Sequence, residues 1–261
     1  MKKRTAFIGA ILSLIPLGQP LIIKTGVSLS TIGIIIFYPK QVNAQEKIYF
    51  KSAFEKAKAG DHYGAISDYS KVIETDSRNQ SAFYNRGLSK NAIGDYSGSI
   101  SDHTKAIEIN PKKVNAYIAR GNSHAKSNDN YAAISDYNKA IEIDPKNKGA
   151  YYNRGSSKSN LKDYYGAISD FNRAIEIDSK YVNAYYNRGI AKFNLEDYYG
   201  SISDYNNAIK NDPQHSNSYF NRSLSKEKIN DLNGACLDAK MYSSLGNDDA
   251  DNKDWIKNNC K

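Results

Sequence analysis

The sequence predicts an all-α fold, an α-solenoid of stacked helical hairpins, and three observations carry that prediction. The tetrapeptide Tyr-Asn-Arg-Gly starts at Tyr84, Tyr152 and Tyr186, at separations of 34 residues or twice that number. Within one such period, apolar residues recur at helical spacings in two separate runs. A turn-forming segment stands between the two runs. Units repeated at this period bury their apolar faces against their neighbours, which is the organisation of a solenoid.

Counting in steps of 34 residues predicts six units and a C-terminal cap. The units are residues 46–79, 80–113, 114–147, 148–181, 182–215 and 216–249. Residues 250–261 depart from the repeat, and Trp255 and Ile256 within them are expected to lie on a capping helix that covers the last core.

Each unit is predicted to contain a first helix, an aspartate that caps the next helix, and a second helix. The capping aspartates are Asp61, Asp95, Asp129, Asp163, Asp197 and Asp231. Pro111, Pro145 and Pro213 are expected to end second helices. Glycines in the first helix, such as Gly155, predict close approach of the two helices. The tyrosines of the Asp-Tyr-Tyr-Gly-Ala-Ile-Ser-Asp-Tyr segments are expected to lie mostly in the core.

These columns of residues resemble tetratricopeptide repeats over residues 46–249, which is 204 of 261 residues. The aromatic columns are Phe83, Tyr117, Tyr151, Tyr185 and Tyr219 in the first helix, and Tyr69, Tyr137, Phe171 and Tyr205 in the second. A glycine four residues after the first aromatic and a proline after the second helix complete the pattern. Two features depart from it, since arginine replaces the leucine before the glycine and His103 and Ala239 replace the second aromatic. The resemblance implies a right-handed superhelix with a concave groove that binds proteins.

The first 44 residues predict a separate segment, a signal peptide or a membrane anchor. Three basic residues at Lys2 to Arg4 precede an uncharged run over 5–23, a second apolar run covers 25–38, and Val42, Asn43 and Ala44 form a cleavage pattern. Cleavage would export the repeats, whereas retention would attach them to a membrane through residues 5–38. The sequence therefore predicts an exported bacterial protein in the periplasm or another extracytoplasmic compartment, or one anchored to the membrane.

Charge argues against a nucleic-acid partner. The net charge is +8, but residues 1–44 carry five basic and no acidic residues. The remainder holds 31 basic (36 less 5) and 28 acidic residues, a net +3. Such a mixed surface lacks the basic patch that nucleic acids select.

Two charged columns recur at the repeat period. The arginines are Arg86, Arg120, Arg154, Arg188 and Arg222, and the aspartates are Asp68, Asp102, Asp136, Asp170, Asp204 and Asp238. The favoured interpretation is a structural ladder of ion pairs, and the alternative is a row of guanidinium groups for an anionic ligand.

A column of aromatic residues and the asparagines beside it are the candidate groove residues, by the resemblance. They are Tyr84, Asn85, Tyr152, Asn153, Tyr186, Asn187, Phe220 and Asn221. Aromatic side chains with polar tips hold peptides or stack on sugars, and the alternative is that they pack between adjacent units.

Neither catalytic residues nor a cofactor or metal site are predicted. His62, His103, His124 and His215 fall in different columns without metal-ligand spacing. Cys236 and Cys260 are expected to form a disulfide in an oxidising compartment, the alternative being two free thiols. The sequence thus predicts a non-catalytic scaffold for a protein or peptide partner. An envelope glycan-binding or enzyme-accessory role is the alternative, and no oligomeric state is predicted.

Overall fold

A computed structural model describes residues 44–247 and 250–260 and contains thirteen helices and no strands within them. The helices are α1 (Ala44–Lys58), α2 (His62–Thr75), α3 (Gln80–Ala92), α4 (Tyr96–Ile109), α5 (Val114–Lys126), α6 (Asn130–Ile143), α7 (Lys148–Asn160), α8 (Tyr164–Ile177), α9 (Val182–Asn194), α10 (Tyr198–Asn211), α11 (Ser216–Lys228), α12 (Leu232–Ser244) and α13 (Ala250–Asn259). The predicted signal or anchor segment lies outside the described residues except for Ala44, which begins α1.

Each odd-numbered helix from α1 to α11 packs on the helix that follows it, and each hairpin packs on the next hairpin. Among the described residues, no helix contacts a hairpin beyond its immediate neighbours. Contacts that are limited to neighbours define a one-dimensional stack, so the predicted α-solenoid is confirmed.

The stack curves with its first helices on the inside. Consecutive first helices, such as α7 and α9, contact each other, whereas consecutive second helices among those described make no such contact. Helices that approach each other on one side and separate on the other produce curvature. The side of the first helices is therefore the concave, inner face.

The aspartates predicted as caps begin the second helices, which confirms that prediction. In each hairpin the aspartate side chain accepts a hydrogen bond from the backbone amide three residues later; Asp163, for example, accepts from Gly166 at 2.9 Å. The residue directly before each cap has a left-handed backbone conformation: it is glycine in the first two hairpins, and Asn128, Lys162, Glu196 and Asn230 in the last four. Such a bond satisfies an amide that the helix itself leaves free, and is worth about 1 kcal/mol.

Close packing of the two helices in a hairpin depends on the glycine of the first helix. A Cβ atom on Gly189 would lie 2.6 Å from the ring of Tyr205, and one on Gly155 would lie 2.9 Å from Phe171. The aromatic rings of the second helix therefore lie directly on first-helix backbone. In the last hairpin, where Ala239 replaces the ring, Ser223 replaces the glycine.

One expectation about the tyrosines is wrong. The eighth residue of the second helix is in the core where it is a tyrosine, as with Tyr69, Tyr137 and Tyr205 at 1% exposure. The second residue of the second helix is a tyrosine in four hairpins, and it is 74–77% exposed: Tyr63, Tyr131, Tyr165 and Tyr199. This residue follows the helix N-terminus directly, where its side chain points away from the partner helix and into solvent.

The described chain ends in a short helix that packs on the last hairpin. α13 contacts α12, and the buried Asn252 donates hydrogen bonds to the Ala239 carbonyl and the Ser243 hydroxyl. Among the described helices, none has the length and apolar character that crossing a membrane requires.

Candidate functional site

Three columns of first-helix residues form the central strip of the inner face in the second to sixth hairpins. The first column is Tyr84, Ile118, Tyr152, Tyr186 and Phe220; the second is Asn85, Ala119, Asn153, Asn187 and Asn221; the third is Leu88, Asn122, Ser156, Ile190 and Leu224. Residues of the first and third columns are four apart and share one side of their helix. We call these fifteen positions the inner strip.

Hydrogen bonds between hairpins connect the predicted groove residues. Asn187 donates to the hydroxyl of Tyr152, and Asn221 donates to the hydroxyl of Tyr186, both at 2.9 Å. Asn153 donates instead to the side-chain oxygen of Asn122 at 3.0 Å. These bonds fix the orientation of each tyrosine and leave the asparagine oxygens available as acceptors.

Asn85, the first asparagine of the column, bonds differently from the others. Its side-chain amide donates to the Ser81 carbonyl of its own helix at 2.9 Å. Its side chain therefore makes no bond of this kind to a neighbouring hairpin, and the connected part of the inner strip begins at the third hairpin.

The rings of the inner strip also pack against the rings of neighbouring helices. Tyr152 lies 5.9 Å from Phe171 and 5.2 Å from Tyr181, measured between ring centroids, and Phe220 lies 5.1 Å from Tyr242. Burial raises the pKa of Tyr84, and it also raises that of Tyr186. Each ring thus packs between units on one side and is partly exposed on the inner face on the other. Packing between units and availability to a partner therefore do not exclude each other.

The inner strip carries no charge. A quarter of the residues in this chain are charged, so fifteen positions of average composition would hold about four charged side chains. Its members are aromatic, aliphatic, amide or hydroxyl residues. A surface of this composition provides hydrophobic contact and neutral hydrogen bonds, without electrostatic selection for an ionic group.

The arginine column lies beside the inner strip and is fully engaged with aspartates. The Nε and Nη2 atoms of Arg154 donate to the two carboxylate oxygens of Asp170 at 2.9 and 2.5 Å. The same bidentate pair joins the other arginines to Asp102, Asp136, Asp204 and Asp238. Because the aspartates are almost fully buried and the arginines partly so, each charge is neutralised within its own hairpin.

The remaining guanidinium nitrogen of each arginine, Nη1, connects consecutive hairpins. Arg154 Nη1 donates to the side-chain oxygen of Asn138 on the preceding second helix at 2.7 Å, and Arg86 makes the corresponding bond to Ser70. One guanidinium group therefore holds its own second helix and the previous one. This geometry favours the structural interpretation of the ladder over an anion site.

Asp68, in the first hairpin, departs from the ladder because Ser52 occupies the arginine position. Ser52 and Lys56 each donate to its carboxylate at 2.7 Å, and Lys71 donates at 3.2 Å. Burial alone would raise the pKa of Asp68, but these hydrogen bonds outweigh burial and lower it to about 2. Lysine and serine thus supply here what arginine supplies elsewhere.

The two cysteines are joined in the structure, with their Cα atoms 5.6 Å apart. Cys236 lies on α12 and Cys260 follows α13, so the bond attaches the end of the cap to the last hairpin. Among the described residues, no group of three or more histidine, cysteine, aspartate or glutamate side chains has the geometry to hold a metal ion.

Reduction of this disulfide is expected to loosen α13 selectively. In the chain-entropy model, a loop of this length contributes about 3.5 kcal/mol, and the remaining contacts of α13 are few. Amides of α13 should lose protection from hydrogen exchange in the reduced protein or in the Cys260→Ser variant, while amides of α5 to α8 should not change. Equal protection of α13 in both redox states, or free thiols in the unreduced protein, would contradict the proposed pairing.

Comparison with known proteins agrees with this geometry. One tetratricopeptide-repeat model matches residues 121–158 and 160–196, and a second matches residues 182–215. No curated protein matches the chain. Among solved structures, PilW, a widely conserved type IV pilus biogenesis factor, is similar with a TM-score of 0.72 and 12% identity, over 82% of this chain and 99% of its own.

Two further solved structures show the same fold. YrrB, described as a tetratricopeptide-repeat protein with an unusual peptide-binding site, has a TM-score of 0.59 and 17% identity, over 72% of this chain and 97% of its own. MamA has a TM-score of 0.60 and 22% identity, over 66% of this chain and 94% of its own. The fold and the inner strip define an α-solenoid whose concave face carries an uncharged central strip. Within this solenoid, residues 121–158 and 160–215 are tetratricopeptide repeats by the family models, and the solved structures share the fold of the stack.

Proposed function

We propose that this protein is a non-catalytic scaffold that binds a protein or peptide partner on its inner strip. The uncharged inner strip, rigidly fixed by hydrogen bonds between hairpins, is the observation that carries the proposal. Aromatic side chains whose conformations are already fixed lose little entropy on binding, and they are frequent among the residues that dominate binding energy. The peptide-binding site named for YrrB supports a role of this kind for the fold.

Two serine variants of the fourth hairpin test this proposal. Ser156 lies half-buried on the inner strip, whereas Ser169 lies exposed on the second helix of the same hairpin. Ser156→Lys should weaken capture of a partner from native envelope extract on the order of tenfold or more, because the partner would bury an unpaired charge. Ser169→Lys should leave capture unchanged. Equal capture by both variants would place the partner elsewhere and contradict the proposal.

We also propose that the protein works outside the cytoplasm, after export or while anchored to a membrane. The support is the sequence of residues 1–44, with its basic start, apolar runs and cleavage pattern. Mass determination of the protein from its native cells should give the chain beginning at Gln45 if the segment is cleaved, or the intact chain in the membrane fraction if it is an anchor. Recovery of the intact chain from the cytoplasm would overturn this proposal.

One observation favours the alternative, binding of an envelope glycan. Tyr131, Tyr165 and Tyr199 form a row of exposed rings on consecutive second helices, outside the inner strip. Exposed aromatic faces stack on sugar rings. If this row binds glycan, replacing all three by alanine should abolish cosedimentation with insoluble envelope polymer, and Ser156→Lys should not affect it.

A further inference from the structure

A cavity of about 250 Å³ opens between the fifth and sixth hairpins, next to the inner strip. It is lined by Ile190, Phe193, Tyr205, Asn221 and Leu224. The volume is smaller than that of pockets for drug-sized ligands, and it is suited to a single large side chain. Three of the five lining residues are aliphatic or aromatic hydrocarbons, and none is charged.

Tyr205 lines this cavity, and among the described residues no group forms a hydrogen bond with its hydroxyl. The residue is 1% exposed, but its hydroxyl is not one of the fully buried atoms without a partner, so it retains a small accessible surface. The third hairpin shows what is missing, because there the hydroxyl of Tyr137 donates to Asn122 at 2.8 Å. The residue that corresponds to Asn122 in the fifth hairpin is Ile190, which has no acceptor.

The neighbouring asparagine adds a second polar group of known orientation. Asn221 donates its amide to the Tyr186 hydroxyl, which leaves its side-chain oxygen as an acceptor. The cavity therefore presents apolar walls, one free donor and one free acceptor. An accessible donor without a protein partner, beside an open cavity, can donate to a ligand that places an acceptor there.

We propose that this cavity is the anchor pocket of the scaffold. It holds one uncharged apolar side chain of the protein partner, and the Tyr205 hydroxyl donates to a carbonyl or hydroxyl oxygen of the partner beside that side chain. This inference rests on the proposed function, and it assigns the partner's chemistry at one subsite. An acidic or basic side chain is excluded from the pocket because nothing there compensates its charge.

Capped amino acids test the pocket directly in the full chain. N-acetyl-phenylalaninamide and N-acetyl-leucinamide, titrated into isotopically labelled protein, should shift the amide signals of Phe193 and Leu224. N-acetyl-lysinamide and N-acetyl-aspartic acid amide should not shift them. Binding of the apolar compounds should be insensitive to salt, because no ion pair forms.

Two variants distinguish the pocket from a general effect on the fold. Ile190→Asn recreates the third hairpin's arrangement, in which the tyrosine hydroxyl has an internal partner, so it should weaken the apolar compounds on the order of tenfold while the melting temperature is retained or raised. Tyr205→Phe copies Phe171 of the fourth hairpin and should weaken binding while keeping the preference for apolar compounds. Leu237→Asn, on the exposed side of α12, should have no effect.

Three results would overturn the inference: no binding of either apolar compound, equal binding of the charged compounds, or unchanged binding by Ile190→Asn. Each of these leaves the scaffold proposal standing if Ser156→Lys still weakens partner capture and Ser169→Lys does not. Conversely, equal capture of the partner by Ser156→Lys and Ser169→Lys would contradict the scaffold proposal, whether or not the capped amino acids bind.

Discussion

Replacing Asp170 by alanine is expected to destabilise the protein by about 3 to 5 kcal/mol. The Asp170 carboxylate is 3% exposed, receives two hydrogen bonds from Arg154, and lies 2.8 Å from the ammonium group of Lys158. Removing it leaves two positive charges without a carboxylate partner at a largely buried place. Urea denaturation of the variant and the parent protein, followed by circular dichroism, measures the loss.

A double-mutant cycle separates the pair from its surroundings. Arg154→Met and Asp170→Ala together should cost less than the two single changes added, because the double variant lacks the Arg154 charge that Asp170→Ala alone leaves unpaired, while Lys158 loses its carboxylate in both. Lys139 provides the control, since its ion pair with Glu142 is exposed and its replacement by alanine should leave stability unchanged within error. Strict additivity of Arg154 and Asp170 would contradict the structural role of the ladder.

Acid is expected to destabilise the second hairpin through His103. This side chain is fully buried, and neither ring nitrogen has a hydrogen-bond partner in the described chain. Burial lowers the pKa of His103 to about 4, with Arg120 acting in the same direction and Asp102 opposing it. In the unfolded chain the pKa of histidine is near 6.5.

Acid destabilises the folded protein because the unfolded state binds the His103 proton more tightly. Between pH 6.5 and pH 4 the unfolded chain is protonated at His103 and the folded chain is not, so stability falls as the pH is lowered through this range. The difference of about 2.5 pKa units corresponds to roughly 3 kcal/mol, lost by pH 4. Denaturation midpoints measured from pH 7.5 to pH 4 should show this decline.

The matched variant is His103→Phe, because Phe171 occupies the same place in the fourth hairpin. Between pH 7.5 and pH 4 its free energy of unfolding should fall by roughly 3 kcal/mol less than that of the parent protein. At acidic pH the variant should therefore be the more stable of the two. The other histidines and the carboxylates contribute equally to both proteins, so the difference isolates one ring. Parallel curves for the two proteins would show that His103 does not titrate on unfolding in this range.

Both effects concern the frame that supports the inner strip. The arginine and aspartate columns pair with each other inside the frame. The partly exposed columns of the inner strip are neutral. A scaffold built in this way separates the groups that hold the stack together from those that meet a partner. This separation explains why charge near the groove does not by itself indicate an ionic ligand.

The sequence alone determined the repeat period, the helical hairpins, the caps and the aspartate and arginine columns. Each of these depends on spacing along the chain or on a residue's own backbone preference, as when Asp163 caps α8. The period also predicts that every arginine meets an equivalent aspartate, of its own unit or of the preceding one, and the structure shows that Arg154 meets Asp170 of its own hairpin.

Only the tertiary structure decided which residues of one hairpin contact which residues of the next. The exposed position of Tyr165, the bond from Asn187 to Tyr152, and the cavity beside Tyr205 all depend on how one hairpin is placed on the next. A period of 34 residues fixes the order of the units along the chain, but the angle between units arises from side-chain packing over many contacts. Small changes between copies, such as Ile190 in place of Asn122, have an effect only through that packing.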